Sequence, residues 1–270
     1  MAPRYLIDAH AHFHWSRSRD DFARYNRSRL DAGETIGITC HVASILGTWG
    51  RTSPTYFASP ADVTAGNDAM YTIAREQSHR VRAFVHVNPN HTDHALREIE
   101  RGVAAGAIGV KLSASRRADD ALVDAIADEA GRRGLPVLHH VWQHRQREWG
   151  NQEASDAVEL VRLAARHPGT NFILAHIGGG GDWAHSIDVL RDAPNVFPDT
   201  SGSGVDRGML DAYLTALGAP RLLWAADLTI CTGLAKLQAL QVIGMPQDDL
   251  DDICWRNATR IFPPESFVLP

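Results

Sequence analysis

Eight short apolar segments alternate with helical segments along the chain, and this alternation constrains the fold more than any other feature. The predicted strands are residues 5–7, 36–43, 81–88, 107–113, 136–142, 171–177, 196–201 and 222–228. Strands that alternate with helices form a parallel sheet, so eight such units predict an α/β fold, a single (β/α)8 TIM barrel. An open doubly wound sheet is the alternative, but no G-x-G-x-x-G sequence follows the first strand. No linker or charge block divides the chain, so we expect residues 1–270 to form one domain.

The composition disfavours several classes of protein. A net charge of -5 and a pI near 6.3 disfavour a nucleic-acid-binding protein. The cysteines Cys40, Cys231 and Cys254 are odd in number and lack paired spacing, which favours a reducing compartment without disulfides. No signal-peptide pattern is present, and no apolar run approaches the roughly 18 residues that span a membrane. We therefore expect a soluble cytoplasmic protein without nucleic-acid or membrane partners.

Two histidines, His10 and His12, lie at the end of the first predicted strand. Side chains alternate between the two faces of a strand, so residues two apart share a face. The two neutral imidazoles can therefore bind one metal ion. A chain with 14 histidines contains such a pair by chance often enough that two polar residues in a strand-end turn are the alternative.

Ionisable residues recur at the ends of other predicted strands. They are Asp8 on the first strand, Lys111 on the fourth, His139 and His140 on the fifth, His176 on the sixth and Asp227 on the eighth. The active site of such a barrel lies at the C-terminal ends of its strands. Burial of an ionisable group costs several kcal/mol unless the group is paired or bound to a metal. The sequence therefore predicts a metal centre at this end of the barrel.

Motifs in a fixed order extend this pattern over nearly the whole chain. They are Asp8-Ala-His-Ala-His12, Val87-Asn-Pro89, Gly109-Val-Lys-Leu112, Leu135-Pro-Val-Leu-His-His140, Ala175-His-Ile-Gly-Gly179, Asp199-Thr-Ser201, Ala226-Asp227 and Asn257-Ala-Thr-Arg-Ile-Phe262. In this order they resemble the amidohydrolase superfamily. Within it, the chain is similar to the amidohydrolase-related group, which includes aminocarboxymuconate-semialdehyde decarboxylase-like enzymes and dicarboxylate lactonases.

The resemblance implies roles for individual residues. It makes His10, His12 and His140 metal ligands, and it makes Asp227 a ligand that also accepts a proton from the attacking water. His176 is similar to a histidine that binds metal in two-metal members and acts as an acid, base or orienting group in one-metal members. Lys111 resembles the lysine that some members carbamylate to bridge two metals. The alternative is an unmodified lysine, near a substrate carboxylate or paired with Asp227.

These ligands predict the chemistry. Imidazole and carboxylate suit one or two divalent ions, Zn²⁺ first, with Mn²⁺ or Fe²⁺ as alternatives. A metal-activated water predicts hydrolysis of an ester, lactone or amide in a small, carboxylated organic substrate. One alternative is a metal-dependent nonoxidative decarboxylase, and another is a metal-free lactonase or small-molecule-binding barrel. A homodimer is a further expectation for such a barrel.

Other residues near the predicted strand ends have open roles. His14 lies too far along the loop to bind the metal but could contact substrate. His41 and His86 could line the pocket or only form hydrogen bonds at its rim. His139 should face the helices if His140 faces inward. Gly178 to Gly181 could bind a phosphate or form a flexible turn. Loop residues that could bind a carboxylate, exclude solvent or simply pack are Trp15, Trp49, Arg51, Trp142, Arg145 and Trp149.

Overall fold

The computed structural model describes residues 2–16, 21–46, 57–140, 155–177, 183–202 and 207–269, and within them seven parallel strands form one curled sheet. Each strand pairs with the next one in sequence, as predicted for alternating strands and helices. The strands are β1 (Ile7–His12), β2 (Cys40–Ser44), β3 (Val81–Val87), β4 (Gly109–Leu112), β5 (Val137–His139), β6 (Phe172–Leu174) and β7 (Val196–Pro198).

Helices follow the strands along the chain. They are α1 (Asp21–Thr35), α2 (Pro60–Glu76), α3 (Thr92–Ala104), α4 (Asp124–Arg132), α5 (Ala157–Arg166), α6 (Trp183–Leu190), α7 (Arg207–Leu217), α8 (Ile230–Ile243), α9 (Gln247–Asp251) and α10 (Asn257–Ile261). A π-helical turn, Asp252–Arg256, joins the last two. In the described part of the chain, no helix combines the length and apolarity needed to cross a membrane.

Apolar side chains form separate clusters on the two faces of the sheet. The larger cluster contains residues from the strands and from the packed helices, such as Met70 and Ile99. The smaller, inner cluster contains strand residues on the opposite face, such as Leu138 and Ile173, together with Phe262 from the C-terminal part of the chain. Lys111 is in register with Leu138 and therefore faces inward. The inner face is thus apolar towards the N-terminal ends of the strands and polar towards their C-terminal ends.

Strand β1 contains a bulge that decides which of its residues face inward. Its pairing with β2 shifts between Asp8 and Ala11. Ala9, within the shift, belongs to the inner cluster, whereas Ala11, where regular pairing resumes, belongs to the larger cluster. The bulge therefore lets His10 and His12 face inward while Asp8 faces the helices, so strict alternation does not describe this strand.

Residues 222–227 do not form the regular eighth strand that the sequence predicts. Leu223 N donates to Pro198 O of β7 at 3.0 Å, and Asp227 N donates to His10 O of β1 at 2.8 Å. Only isolated parallel bridges result, one to each neighbour. Between them, Trp224 N donates to Ile253 O, outside the sheet. Because its backbone groups bond to three different segments, this stretch has no continuous ladder.

Candidate metal centre

Side chains from distant parts of the chain converge at the C-terminal edge of the sheet. His10, His176 and Asp227 each offer one ligand atom, and these atoms lie within 4.8 Å of one another. His12 joins them, because its Nε2 lies 3.0 Å from His10 Nε2 and 3.3 Å from Asp227 Oδ1. Lys111 Nζ lies 3.0 Å from His10 Nε2. With His140, these residues form what we call the histidine cluster.

His140 enters the cluster through His176. Its Nδ1 lies 3.1 Å from His176 Nε2, and the two rings are 4.9 Å apart between centroids. The His176 ring in turn lies 5.2 Å from the His10 ring. His140 and His10 are therefore both neighbours of the His176 ring.

Burial keeps the histidines of the cluster neutral. It lowers the pKa of His10, His12 and His140 well below the usual value, and nearby charges such as Lys111 lower it further. Burial also lowers the pKa of His176, to about 4. Neutral imidazole is the form that binds metal, so all four rings have the protonation state of a ligand at neutral pH.

The tautomers of His10 and His12 turn their lone pairs towards each other. Asp199 Oδ2 accepts a hydrogen bond from His10 Nδ1 at 2.9 Å, and the Ser44 carbonyl oxygen accepts one from His12 Nδ1 at 3.3 Å. In the neutral rings both Nε2 atoms then have lone pairs, and these atoms face each other at 3.0 Å. Two facing lone pairs repel, and a positive charge beside them, either the Lys111 amine at 3.0 Å from His10 Nε2 or a metal ion, removes this repulsion. With the Asp227 carboxylate, this donor set fits a divalent metal ion.

His176 and Asp227 have unusual backbone conformations. Their φ angles are 65° and 55°, and among the described non-glycine residues only Glu265 also has a positive φ. Such conformations persist where surrounding contacts impose them. Here Asp199 Oδ1 accepts from His176 N at 3.1 Å, and Asp227 N donates to the His10 carbonyl oxygen. The backbone is thus turned at the two positions where a side chain must reach the cluster.

Asp8 does not belong to the cluster, although it ends the first strand with the two histidines. Its buried carboxylate accepts hydrogen bonds from Arg29 Nη2 at 3.0 Å, His41 Nδ1 at 2.9 Å and Ala226 N at 2.9 Å. The last bond fixes the residue before Asp227. Asp8 therefore positions the end of this segment, and His41 faces it rather than the inside of the sheet.

Asp227 and Lys111 are the two charged side chains within the cluster. Burial raises the pKa of Asp227 to about 6, against the opposing effect of Lys111. Burial lowers the pKa of Lys111 to about 7, although Asp227 and Asp199 favour its charged form. Asp227 is also the more accessible of the two, with 19% of its side chain exposed. The cluster thus contains a carboxyl group and an amine that both titrate near neutral pH, as many active sites do.

Lys236 lies beside the cluster and was not predicted from the sequence. Its Nζ donates to the carbonyl oxygens of Ser201 at 2.8 Å and Gly202 at 2.7 Å, and burial lowers its pKa to about 8. The small number of lysines in the sequence could have indicated this residue. Only two of the 27 basic residues are lysines, Lys111 and Lys236, and both are fully buried. Elsewhere the chain uses arginine.

The remaining predicted residues lie in several places. His86 faces inward beside Lys111, and its Nε2 lies 3.1 Å from Ser113 Oγ. His139 is in register with Leu112 and Leu174 of the larger cluster, so it faces the helices as expected. His14 packs against α1, with its ring 4.3 Å from that of Tyr25. Trp15 is half-buried against the larger cluster. Residues outside the described part of the chain are Trp49, Arg51, Trp142, Arg145, Trp149 and Gly178 to Gly181.

A parallel α/β sheet with neutral histidines and an aspartate at its C-terminal edge is typical of a class of enzymes, those with a divalent-metal site at this edge. Comparison with known families agrees with this class. The chain belongs to the amidohydrolase family, whose family model matches residues 7–263. This match confirms the resemblance inferred from the motifs, and it makes the chain an enzyme of that family. No curated protein sequence matches the chain.

Solved structures similar to this one include several decarboxylases. A 5-carboxyvanillate decarboxylase from Sphingomonas paucimobilis has a TM-score of 0.72 at 18% identity, over 96% of this chain and 99% of that one. A 2,6-dihydroxybenzoate decarboxylase from Rhizobium has a TM-score of 0.70 at 17% identity, over 97% and 98%. A dihydroxybenzoic acid decarboxylase from Polaromonas sp. JS666, with bound manganese and 2-nitroresorcinol, has a TM-score of 0.72 at 17% identity, over both chains in full. At these identities the likeness establishes a shared fold.

Proposed function

We propose that this chain is a metal-dependent nonoxidative decarboxylase of a small aromatic acid. The observation that supports a metal centre most directly is the pair of His10 and His12 lone pairs that face each other beside Asp227. Among the two reactions expected from the sequence, the similar structures favour decarboxylation over hydrolysis, because the three described above are named as decarboxylases of hydroxylated benzoic acids.

In this proposal His10, His12, His140 and Asp227 hold one divalent ion, and His176 and Lys111 complete the site. Manganese is the first ion to test, because a similar decarboxylase contains it, and Zn²⁺ and Fe²⁺ suit the same donors. When bound, the ion would supply positive charge for the carboxylate and a neighbouring oxygen of the substrate. Lys111, in its charged form, adds a second positive charge on the inner side of the cluster.

The reaction breaks the bond between the ring and its carboxylate. The electron pair of that bond stays on the ring carbon, carbon dioxide leaves, and a proton must replace it on the ring. We assign the delivery of this proton to Asp227, because its side chain is more exposed than that of Lys111 and burial favours its protonated form. Water then restores the proton on Asp227.

The test uses protein stripped by chelator and reloaded with Mn²⁺ or Zn²⁺. We expect it to release carbon dioxide from 2,6-dihydroxybenzoate, 5-carboxyvanillate or a related hydroxybenzoic acid, with one deuterium entering the ring in deuterated water. Asp227→Asn should lower the rate by about 10²- to 10⁴-fold. Asparagine tolerates a left-handed backbone, so this variant should fold normally. The matched control is Asp192→Asn, a change of an exposed aspartate after α6.

Each failure has a distinct meaning. Cleavage of a lactone or ester with uptake of oxygen from water, and no carbon dioxide, would identify the hydrolase alternative. Uptake of less than about 0.2 metal ion per chain, far below the one ion a catalytic site binds, would favour a metal-free lactonase or binding barrel. Full activity of Asp227→Asn would remove the proton-donor role from Asp227.

We also propose that residues 222–227 complete an eight-stranded barrel and that residues 1–270 form one domain. The hydrogen bonds from this stretch to both β7 and β1 support barrel closure. A single cooperative unfolding transition, seen alike by fluorescence and circular dichroism, is the expected behaviour of one domain. Two separate transitions would argue against it.

A further inference from the structure

The hydroxyl group of Ser201 lies between two histidines of the cluster and a buried carboxylate. Its Oγ is 3.0 Å from His176 Nδ1 and 3.2 Å from His10 Nδ1, and it forms a hydrogen bond with Asp199 Oδ1. Ser201 is 1% exposed and Asp199 is fully buried. One hydroxyl group therefore contacts both β1 and the segment after β6, and its single hydrogen has to go to one partner.

Asp199 decides the direction of that hydrogen. Its two oxygens also accept hydrogen bonds from three N–H groups, those of His10 Nδ1, His176 N and Ser201 N. All three groups donate to the Asp199 carboxylate, and an ionised carboxylate can only accept hydrogen bonds. The Ser201 hydroxyl therefore donates its hydrogen to Asp199. Ser201 Oγ is then an acceptor towards the histidines. His176 Nδ1 must therefore have its hydrogen and donate it to Ser201.

The same argument extends to the next histidine. With its hydrogen on Nδ1, neutral His176 has a lone pair on Nε2, which lies 3.1 Å from His140 Nδ1. His140 then donates from Nδ1, and its own lone pair is on Nε2. Each residue in this series therefore donates a hydrogen bond to the next one: His140 to His176, His176 to Ser201, and Ser201 to Asp199.

We propose that Ser201, with Asp199, is a positioning residue that imposes this direction and so determines which nitrogen His140 and His176 present. His10 receives its tautomer from Asp199 directly, through Oδ2. His140 thereby presents Nε2, whereas the Nδ1 of His176, the atom 3.8 Å from Asp227, has a hydrogen and cannot bind a metal. The part of this inference that concerns metal binding rests on the proposed function, whereas the tautomers do not.

Lys236 supports the same arrangement from the other side. Its Nζ donates to the carbonyl oxygens of Ser201 and Gly202 at 2.8 and 2.7 Å. The backbone of Ser201 is thus fixed by Lys236 and by its own N–H bond to Asp199. A hydroxyl group that is held at both its backbone and its acceptor can impose a tautomer on a neighbouring ring.

The decisive measurement is the tautomer of each ring in metal-free protein, from long-range proton–nitrogen NMR spectra of histidine-labelled protein. We expect a protonated Nδ1 for His140, His176 and His10 at a pH of about 7.5, where these rings are neutral. Substitution of each histidine assigns its signals. A hydrogen on Nε2 of His176 in the unsubstituted protein would overturn the proposal, whatever the variants do.

Ser201→Ala should move the His176 hydrogen to Nε2, because among the described residues the next acceptor recorded, Asp227 Oδ2, is 3.8 Å from Nδ1. His10 should keep its tautomer. The matched control is Ser44→Ala, which removes a hydroxyl 3.0 Å from His12 Nδ1 but leaves the carbonyl oxygen of residue 44 as the acceptor. No tautomer should change in this control. An unchanged His176 in Ser201→Ala would contradict the proposal.

Metal affinity, measured by chelator competition with Mn²⁺, adds a second readout. Ser201→Ala should weaken binding by about 10- to 100-fold, the usual effect of losing a group that orients a ligand, and Ser201→Thr, which keeps the hydroxyl, should restore most of it. A changed tautomer with affinity within about twofold of the unsubstituted protein would support the positioning role and count against ligation by His140, and so against the proposed function.

Discussion

Lys111 makes the stability of the metal-free protein depend on pH in a way that can be calculated. Its side chain is fully buried, and burial lowers its pKa from 10.5 to about 7. Between these two values the unfolded chain binds more protons than the folded chain, so stability rises with pH across this window. The linkage relation gives a gain of about 2 kcal/mol in the free energy of unfolding from pH about 7.5 to about 9.

The perturbation is Lys111→Met, which keeps an unbranched side chain shorter by one heavy atom and removes the titrating amine. Methionine has no proton to exchange, so the variant should lack this gain of about 2 kcal/mol. Lys236→Met is the matched comparison, since burial lowers the pKa of Lys236 only to about 8. The same relation predicts a loss of about 1 kcal/mol of pH dependence for that variant. Groups whose pKa neither lysine affects cancel in these differences.

Urea unfolding of the chelator-treated proteins at the two pH values measures the effect. The rarity of lysine provides a direct check, because protein labelled at the lysine ε-carbon gives signals from only two side chains. Their titration should show both pKa values, with Lys111 the lower. A free-energy difference between Lys111→Met and the unsubstituted protein that stays constant within about 0.5 kcal/mol across this pH range would refute the reasoning.

Two further substitutions test the contacts that position Asp227. Arg29→Met leaves the buried Asp8 carboxylate without its cation. It should lower the free energy of unfolding, measured by urea titration, by about 3–5 kcal/mol. A loss below about 1 kcal/mol would contradict the role of Arg29 as the cation that stabilises Asp8. Gly233→Ala places a Cβ 2.7 Å from the Cβ of Ala226, next to Asp227, and should weaken Mn²⁺ binding in chelator competition. Gly169→Ala, where an added Cβ meets nothing within 4 Å, is its control, and equal affinities in the two variants would contradict the prediction.

The sequence predicted the repeating pattern of the fold because that pattern depends on local periodicity. Apolar runs and helical spacing predicted the approximate positions of seven strands. They did not predict the strand bounds that are set by hydrogen bonds with neighbouring segments. Strand β1 runs over Ile7–His12 rather than 5–7, since hydrogen bonds with β2 extend it through the histidines. The bulge between Asp8 and Ala11 depends on the same pairing. The irregular stretch 222–227 depends on three partners at once, none of them near it in sequence.

The positions of the cluster residues were easier to predict than their surroundings. Histidines and aspartates at strand ends meet because parallel strands place their C-terminal ends at one edge. Asp199 and Ser201 were part of a recognised motif, but no pattern in the sequence indicates that their side chains contact His10 and His176. Lys236 lies on α8, and only the rarity of lysine in the sequence distinguishes it from the other residues of that helix. Contacts of this kind follow from the assembled sheet and not from any one segment.

The contacts of Asp199 and Asp8 show why the cluster can form only in the complete fold. Asp199 accepts a hydrogen bond from His10, which is 189 residues away in sequence, and Asp8 accepts one from Ala226, which is 218 residues away. Both pairs join the first strand to the last third of the chain. A partly folded chain that lacks either end therefore loses the tautomer of His10 or the position of Asp227. Since a metal ion that binds only the assembled cluster stabilises the folded state, metal binding and the joining of the two ends of the sheet are coupled.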